Sequence, residues 1–350
     1  MGKILVIVSM KENLKTTIDL SHTNIPNPLI RGKDLLKYFR DSSMYIDADT
    51  RNELCTEISK WLKVPTNLIL LGNGIAELIE IITYWIPKGK IIIYAPTFIF
   101  YERCAKKYHR NYEILNWVWE KDMLDIRKKL KEEPSLIWIT NPNSPTGHYL
   151  VLSTIEYVLN TTNAIIAIDE SFVEFGEKSL IELAISSNRI IVLRTFSKAF
   201  GLAGVRIGYC ISNEKTIREL SKIIEPMTTS RLGVVLAKEC ITNYLNEYKL
   251  VWACTISSLE IFKNSLKSNL YHILSGKCNF LCLRFNLHCD AVLFNKLCLE
   301  EKITVGTGWN GEFSGDSSNL IRITLPSPDS FQESIKRFER IKQSFEKLTA

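Results

Sequence analysis

Thr195-Phe196-Ser197-Lys198-Ala199-Phe200-Gly201-Leu202-Ala203-Gly204-Val205-Arg206-Ile207-Gly208-Tyr209 follows directly on the apolar run Ile190-Ile191-Val192-Leu193. Such a run reads as a buried strand, and the glycine-rich segment after it as a tight turn. The turn brings one lysine, two hydroxyls (Thr195 and Ser197) and one arginine (Arg206) close together. Outward from it the same pattern recurs. Leu68-Ile69-Leu70-Leu71 runs into Gly72-Asn73-Gly74 and a helical stretch from Glu77 to Trp85. Ile91-Ile92-Ile93-Tyr94 stops at Pro96, Leu136-Ile137-Trp138-Ile139 at Asn141-Pro142, and Ala164-Ile165-Ile166-Ala167-Ile168 at Asp169-Glu170. Continuous rather than alternating apolar strands are buried on both faces. The sequence therefore predicts an α/β fold, a mainly parallel sheet with helices on both faces.

After Tyr209 the pattern turns mostly helical from about 214 to 267. It continues with strand patterns at 280–285 and 320–325 and a helix from Ser330. That predicts a smaller α+β domain. The expected division is an N-terminal segment, 1–40, packing with the small domain; a large domain, 41–245; and the small domain, 246–350. In open α/β sheets ligands bind outside the carboxyl ends of the strands. The motifs that end these strands are therefore expected to share one pocket.

Composition narrows the class. A chain of 350 residues with 46% hydrophobic and 23% charged residues can bury a core without staples. The formal charge is +6, and the densest basic run, Arg127-Lys128-Lys129 with Lys131, lies among Asp122, Asp125, Glu132 and Glu133. It reads as a solvated helix face, so no nucleic-acid partner is expected. Nine cysteines carry no paired metal-ligand spacing and suit a reducing compartment. The opening apolar run after Met1-Gly2-Lys3 is too short for a signal peptide, and Val6 stands where a myristoylation signal needs Ser or Thr. No run reaches transmembrane length, and a cytoplasmic location without a membrane partner is expected.

Each motif has a plain structural alternative. Lysines at strand ends are most often surface charges, but Phe196, Phe200 and Leu202 around Lys198 imply burial, and a buried lysine needs a reason. Imine formation with an aldehyde cofactor is one, because desolvation and nearby cations leave a usable neutral amine. Asp169 closes an apolar strand; it either caps the next helix or pairs with a cationic ring nitrogen, and the two readings stand level. Glu170 is expected to point elsewhere, into a structural hydrogen bond. Gly74-Ile75-Ala76 opens a helix whose free amides favour an anion such as phosphate, although it is not a Walker loop. Asn141-Pro142-Asn143-Ser144-Pro145-Thr146-Gly147 is a rigid turn able to hold a polar side chain over a ligand. Phe98, near Tyr101, either stacks on a flat ring or packs in the core. Arg322, inside Leu320-Ile321-Arg322-Ile323-Thr324, suits bidentate binding of a carboxylate or else faces the surface.

Taken together, from about Asp19 to Ile323, these segments resemble the fold-type I pyridoxal-phosphate enzymes. The likeness is to the class I and II aminotransferases around histidinol-phosphate aminotransferase and threonine-phosphate decarboxylase. The resemblance implies pyridoxal 5'-phosphate as a Schiff base on Lys198, with Asp169 at the ring nitrogen. It implies a phosphate cup from Gly74, Ile75, Ala76, Thr195, Ser197 and Arg206, and a homodimer in which Tyr45 reaches the neighbouring subunit's phosphate. Arg322 would bind the substrate carboxylate, with Asn24 close by. Three positions depart from the family. Ser144 replaces the asparagine that precedes Pro-Thr-Gly, and Phe172 replaces a tyrosine that bonds the ring oxygen. Gly306, in Ile303-Thr304-Val305-Gly306, replaces the arginine of phosphate-specific relatives.

The resemblance thus implies an aminotransferase acting on an amino acid or related amine, and the departures argue against a phosphorylated substrate. The alternative is decarboxylation, encouraged by Phe172 and by the entry Asp19-Leu20-Ser21-His22-Thr23-Asn24-Ile25-Pro26-Asn27-Pro28. Elimination or cyclisation from the same carbanion stays open. A cofactor-free regulatory relative is the reading from another class.

Overall fold

The computed structural model describes residues 17–23, 43–116, 134–150, 152–176 and 178–349. In chain order the elements begin with β1 (Ile18–Leu20), α1 (Ala48–Leu62), β2 (Ile69–Gly72), α2 (Gly74–Trp85), β3 (Lys90–Ala95), β4 (Thr97–Phe98), α3 (Phe100–Lys107) and β5 (Tyr112–Asn116). Then come β6 (Pro134–Thr140), α4 (Leu152–Thr161), β7 (Ile165–Asp169), α5 (Ile181–Ser186), β8 (Ile190–Thr195), β9 (Gly208–Ile211), α6 (Glu214–Ser221) and α7 (Arg231–Ser265). The last are β10 (Tyr271–Ser275), β11 (Phe280–Phe285), α8 (His288–Glu300), β12 (Ile303–Thr307), β13 (Phe313–Ser314), β14 (Leu320–Thr324) and α9 (Phe331–Thr349).

The large sheet has seven strands in the order β2-β9-β8-β7-β6-β3-β5. Strands β8, β7, β6, β3 and β5 run parallel, while β9 is antiparallel to both β8 and β2. The sheet is mainly parallel, as the continuous apolar runs require. Alternate residues go to opposite faces. Ile137, Ile139, Ile166, Ile168 and Val192 join one core with Leu54, Ile58, Val158 and Ala237 from the helices α1, α4 and α7. Leu136, Trp138, Ala167, Ile191 and Leu193 join a second core with Leu78, Tyr101 and Leu220 from α2, α3 and α6. Each such large apolar side chain contributes about 1.5–3 kcal/mol by leaving water, so the sheet is held from both sides.

The smaller sheet has the order β1-β12-β14-β11-β10, with β1 parallel to β12 and the other pairs antiparallel. Its core gathers Leu283, Phe285, Phe294, Ile321, Phe338 and Phe345. The boundary expected at 245/246 falls inside α7. This helix sends Val234, Tyr248 and Trp252 into the large core and Leu259 and Phe262 into the small one. A two-stranded ribbon, β4 with β13, pairs Phe98 with Phe313 and Thr97 with Ser314. Among the described residues no helix is long and apolar enough to cross a membrane, and no group of His, Cys, Asp or Glu could hold a metal ion.

Candidate active site

The carboxyl ends of β6, β7 and β8 and the first turn of α2 open on a cavity of about 700 Å³. Thr195, Ser197, Lys198 and Arg206 line it from the turn after β8, and Asp169, Ser171 and Phe172 from the end of β7. Thr140 and Ser144 follow β6, Ile75 and Ala76 come from α2, and Phe98 from the ribbon. Arg322 enters from β14 of the small sheet, beside His22, Thr23 and the loop Asn310-Gly311-Glu312. Gly74 sits just behind this wall. Tyr45 does not line it: the ring is 79% exposed on the surface, and its carbonyl accepts from Arg231. Asn24 lies outside the described residues.

The lysine turn is clamped from behind. Phe200 meets the rings of Trp61, Tyr248 and Trp252, and the Trp252 indole donates to the carbonyl of Ala199 at 2.8 Å. α7 is N-capped by Ser230, whose Oγ accepts from the Gly233 amide. A Cβ on Gly233 would lie 2.5 Å from the Val205 carbonyl, so only glycine lets the helix come this close to the turn. The Lys198 side chain is thereby aimed into the cavity. Its Nζ donates to Thr23 Oγ1 at 2.6 Å and lies 5.8 Å from the centre of the Phe172 ring. Burial, then the positive charge of Arg322, push the amine down to about 8; Asp169 opposes this and Arg206 adds to it.

Asp169 is buried and held at both oxygens. Ser171 donates to Oδ1 through its amide (2.9 Å) and hydroxyl (2.5 Å), while Tyr101 donates to Oδ2 at 2.5 Å. Tyr101 stacks on Trp138 and also reaches Thr140, which bonds Thr97. Burial still raises the carboxyl above its ordinary range, against the Ser171 and Tyr101 hydrogen bonds and the Lys198 charge. A carboxylate has about four lone-pair positions. Among the described residues Oδ2 accepts from Tyr101 alone, which leaves it capacity for a further, cationic donor.

At the other end of the constellation, Gly74 has φ +70, and a Cβ there would meet Arg206 Nη2 at 2.5 Å. A Cβ on Gly208 would come within 2.8 Å of the Ile75 amide nitrogen. The two glycines thus let the arginine and β9 close on the first turn of α2. The first amides of a helix have no partner within it and carry the positive end of the dipole. Here they adjoin Arg206, Ser197 and Thr195.

Arg322 is buried, and its fork makes three contacts. Nη2 reaches the Ser21 carbonyl at 2.6 Å and Glu312 Oε2 at 3.3 Å, and Nη1 reaches Ser144 Oγ at 3.3 Å. Its Nε has no partner among the described residues, and the guanidinium lies 4.9 Å from the centre of the Phe313 ring. Ser144 therefore touches the arginine of the small sheet. Phe172 packs edge-on against Phe280, and Phe98, 40% exposed, packs edge-on against Tyr101. Glu170 turns away from the cavity, to Arg194, Ser179 and the Leu180 amide. That is the structural role expected of it.

Several residues lining the cavity or packed behind it carry no sequence signal strong enough to assign a role. Tyr101 stood out only as an aromatic near Phe98, although it holds Asp169. Thr23, which receives Lys198, was visible only inside the entry segment. Ser171 follows Asp169 by two residues and could have been found as a hydroxyl able to bond back to a buried carboxylate. His22, Arg103, Thr140 and Glu312 offered no pattern.

The sequence profile described as aminotransferase class I and II matches residues 18–338. The histidinol-phosphate aminotransferase of Methanococcus aeolicus is 33% identical over 61% of this chain and 60% of its own length, so that match spans less than two thirds of the relative. That of Methanococcoides burtonii is 30% identical over 85% of this chain and 82% of its own. Among solved structures, the histidinol-phosphate aminotransferase of Clostridium acetobutylicum superposes with a TM-score of 0.82 and 23% identity, covering 93% of this chain and 99% of the other. That likeness shows a shared fold.

Proposed function

The chain belongs to the class I and II aminotransferase family, whose cofactor is pyridoxal 5'-phosphate, and from that premise we propose that it moves an amino group to or from an amino acid or related amine. The observation that carries the reading is one cavity lined by an amine pushed down to about 8 and by a buried carboxylate, beside a helix start and an arginine. The cofactor's groups each have a fitting neighbour. Gly74 leaves the room that Arg206 fills beside the first turn of α2, which suits a phosphate together with Ser197 and Thr195. Asp169 keeps an acceptor position for a ring nitrogen, and Phe98 offers a face for the ring.

When bound, this cofactor supplies an electron sink for the carbanion at the substrate Cα. The protein's own groups do the rest. Lys198 would hold the cofactor through its Nζ and, once released, would serve as the base for the Cα proton; Thr23 Oγ1 accepts from that Nζ in the free protein. Asp169 would face the ring nitrogen and favour its protonated form. Arg322 holds the substrate carboxylate, and its buried position keeps competing water away. We further propose a homodimer in the cytoplasm, with Tyr45 projecting from one subunit toward its partner's phosphate end. The 79% exposure of that ring supports a role outside its own subunit.

A second reading, decarboxylation, is favoured by Phe172, which turns a ring without a hydroxyl toward Lys198. Single-turnover product analysis separates the two. Purified holoenzyme mixed with an amino acid should yield one equivalent of keto acid per site. Carbon dioxide release with no keto-acid requirement would instead make it a decarboxylase. Colourless protein that forms no borohydride-fixed adduct at Lys198 would point to a relative that has lost the cofactor.

A further inference from the structure

We propose that Glu312 is an internal competitor for Arg322: its carboxylate holds the arginine in the free enzyme and must leave before a substrate carboxylate can dock. The inference rests on Arg322 as the substrate anchor. It makes the 308–312 loop, between β12 and β13, a determinant of substrate affinity.

Four observations carry it. Arg322 is buried inside β14, where a guanidinium without a counter-charge is strongly disfavoured, and Glu312 Oε2 at 3.3 Å is its only carboxylate partner among the described residues. On β11 Cys282 lies opposite Arg322, and on the β12 side the residue directly across from it is Gly306. A Cβ there would sit 3.2 Å from the Ser21 carbonyl, 3.3 Å from Arg322 Nη2 and 3.4 Å from Glu312 Oε2, so the bare glycine makes the space in which the two charges meet. The Glu312 contact is made through one oxygen to one nitrogen, while Arg322 Nε has no partner among the described residues. An incoming carboxylate able to use two nitrogens has the better geometry. Finally, the Glu312 side chain is 36% exposed and follows Gly311, which has φ +71 and nothing within 4 Å of where a Cβ would be. The carboxylate therefore has a solvated alternative and a permissive backbone with which to reach it.

A competitor of this kind weakens apparent affinity by the fraction of time that it is off the arginine. The test titrates holoenzyme with hydrocinnamate, a carboxylate without an amine and so unable to react at the cofactor, and follows binding by calorimetry. Glu312→Gln should bind it about tenfold more tightly than the natural chain. Unchanged or weaker binding would overturn the competitor role. A crystal structure of the natural holoenzyme with hydrocinnamate should have Glu312 off Arg322; an intact pair beside a bound carboxylate would also overturn it. Arg322→Ala separates the two layers of inference. Natural affinity in Arg322→Ala would remove the anchor reading itself, whereas lost binding there with no gain in Glu312→Gln would remove only the competitor.

Discussion

Tyr101→Phe isolates the hydrogen bond that supports the buried Asp169. The phenol donates to Oδ2 at 2.5 Å, and phenylalanine keeps the ring that stacks on Trp138. A hydrogen bond to a charged group contributes about 1.5–3 kcal/mol. Its loss should lift the already raised Asp169 carboxyl further. The sign follows from linkage. Below the unfolded carboxyl's value of about 3.9, both folded and unfolded chains are protonated and the raised pKa costs nothing. As pH climbs toward the folded value the penalty grows, and above it the penalty is constant. In urea unfolding of the apoprotein, Tyr101→Phe should thus be about 1.5–3 kcal/mol less stable than the natural chain at neutral pH. The gap should narrow as pH falls toward about 4. A gap of equal size at both pH values, or none at neutral pH, would refute Asp169 as an ionised group held by Tyr101.

Lys198→Ala should cut turnover by at least about two to four orders of magnitude and abolish the borohydride-fixed adduct, with circular dichroism unchanged; retained turnover would contradict the role given to the lysine. Because Lys198 is pushed down to about 8, capture of pyridoxal phosphate by the apoprotein should accelerate as pH rises through that value, read by stopped-flow absorbance. The stability linked to this group is present above the unfolded lysine value of about 10.4 and is lost as pH falls through about 8. Arg322→Met removes a cation that lowers Lys198, so the midpoint of capture should move to higher pH. Gly74→Ala forces a side chain into φ +70 and against Arg206, so cofactor affinity should fall by about 5- to 30-fold in equilibrium titration.

What the sequence revealed follows a physical division. Asp169 was legible because it closes a continuous apolar run, and Ser197, Lys198 and Arg206 because they stand close together in the glycine-rich turn that follows another; polar groups there must serve a ligand or a cap. The parallel core was legible for the same reason. Strand β9 was hidden: its four residues, Gly208–Ile211, continue the lysine segment, and only its pairing with β2 and β8 makes it a strand. Strand β5 was hidden too, since Tyr112-Glu113-Ile114-Leu115-Asn116 is only partly apolar and lies at the sheet edge. The partners of the key groups come from afar. Thr23 is 175 residues from Lys198 and Tyr101 is 68 from Asp169, separations across which no local pattern operates.

The β4–β13 ribbon joins two things usually thought of as separate. Phe98, which lines the cavity, is registered by backbone pairing to Phe313, and the Ile99 amide donates to the Glu312 carbonyl. Rebuilding the loop to admit another amino acid would therefore tug on Phe98, the face proposed for the cofactor ring. Anyone engineering selectivity here should watch the resting absorption spectrum, since a shifted band would report a strained loop before any substrate is added.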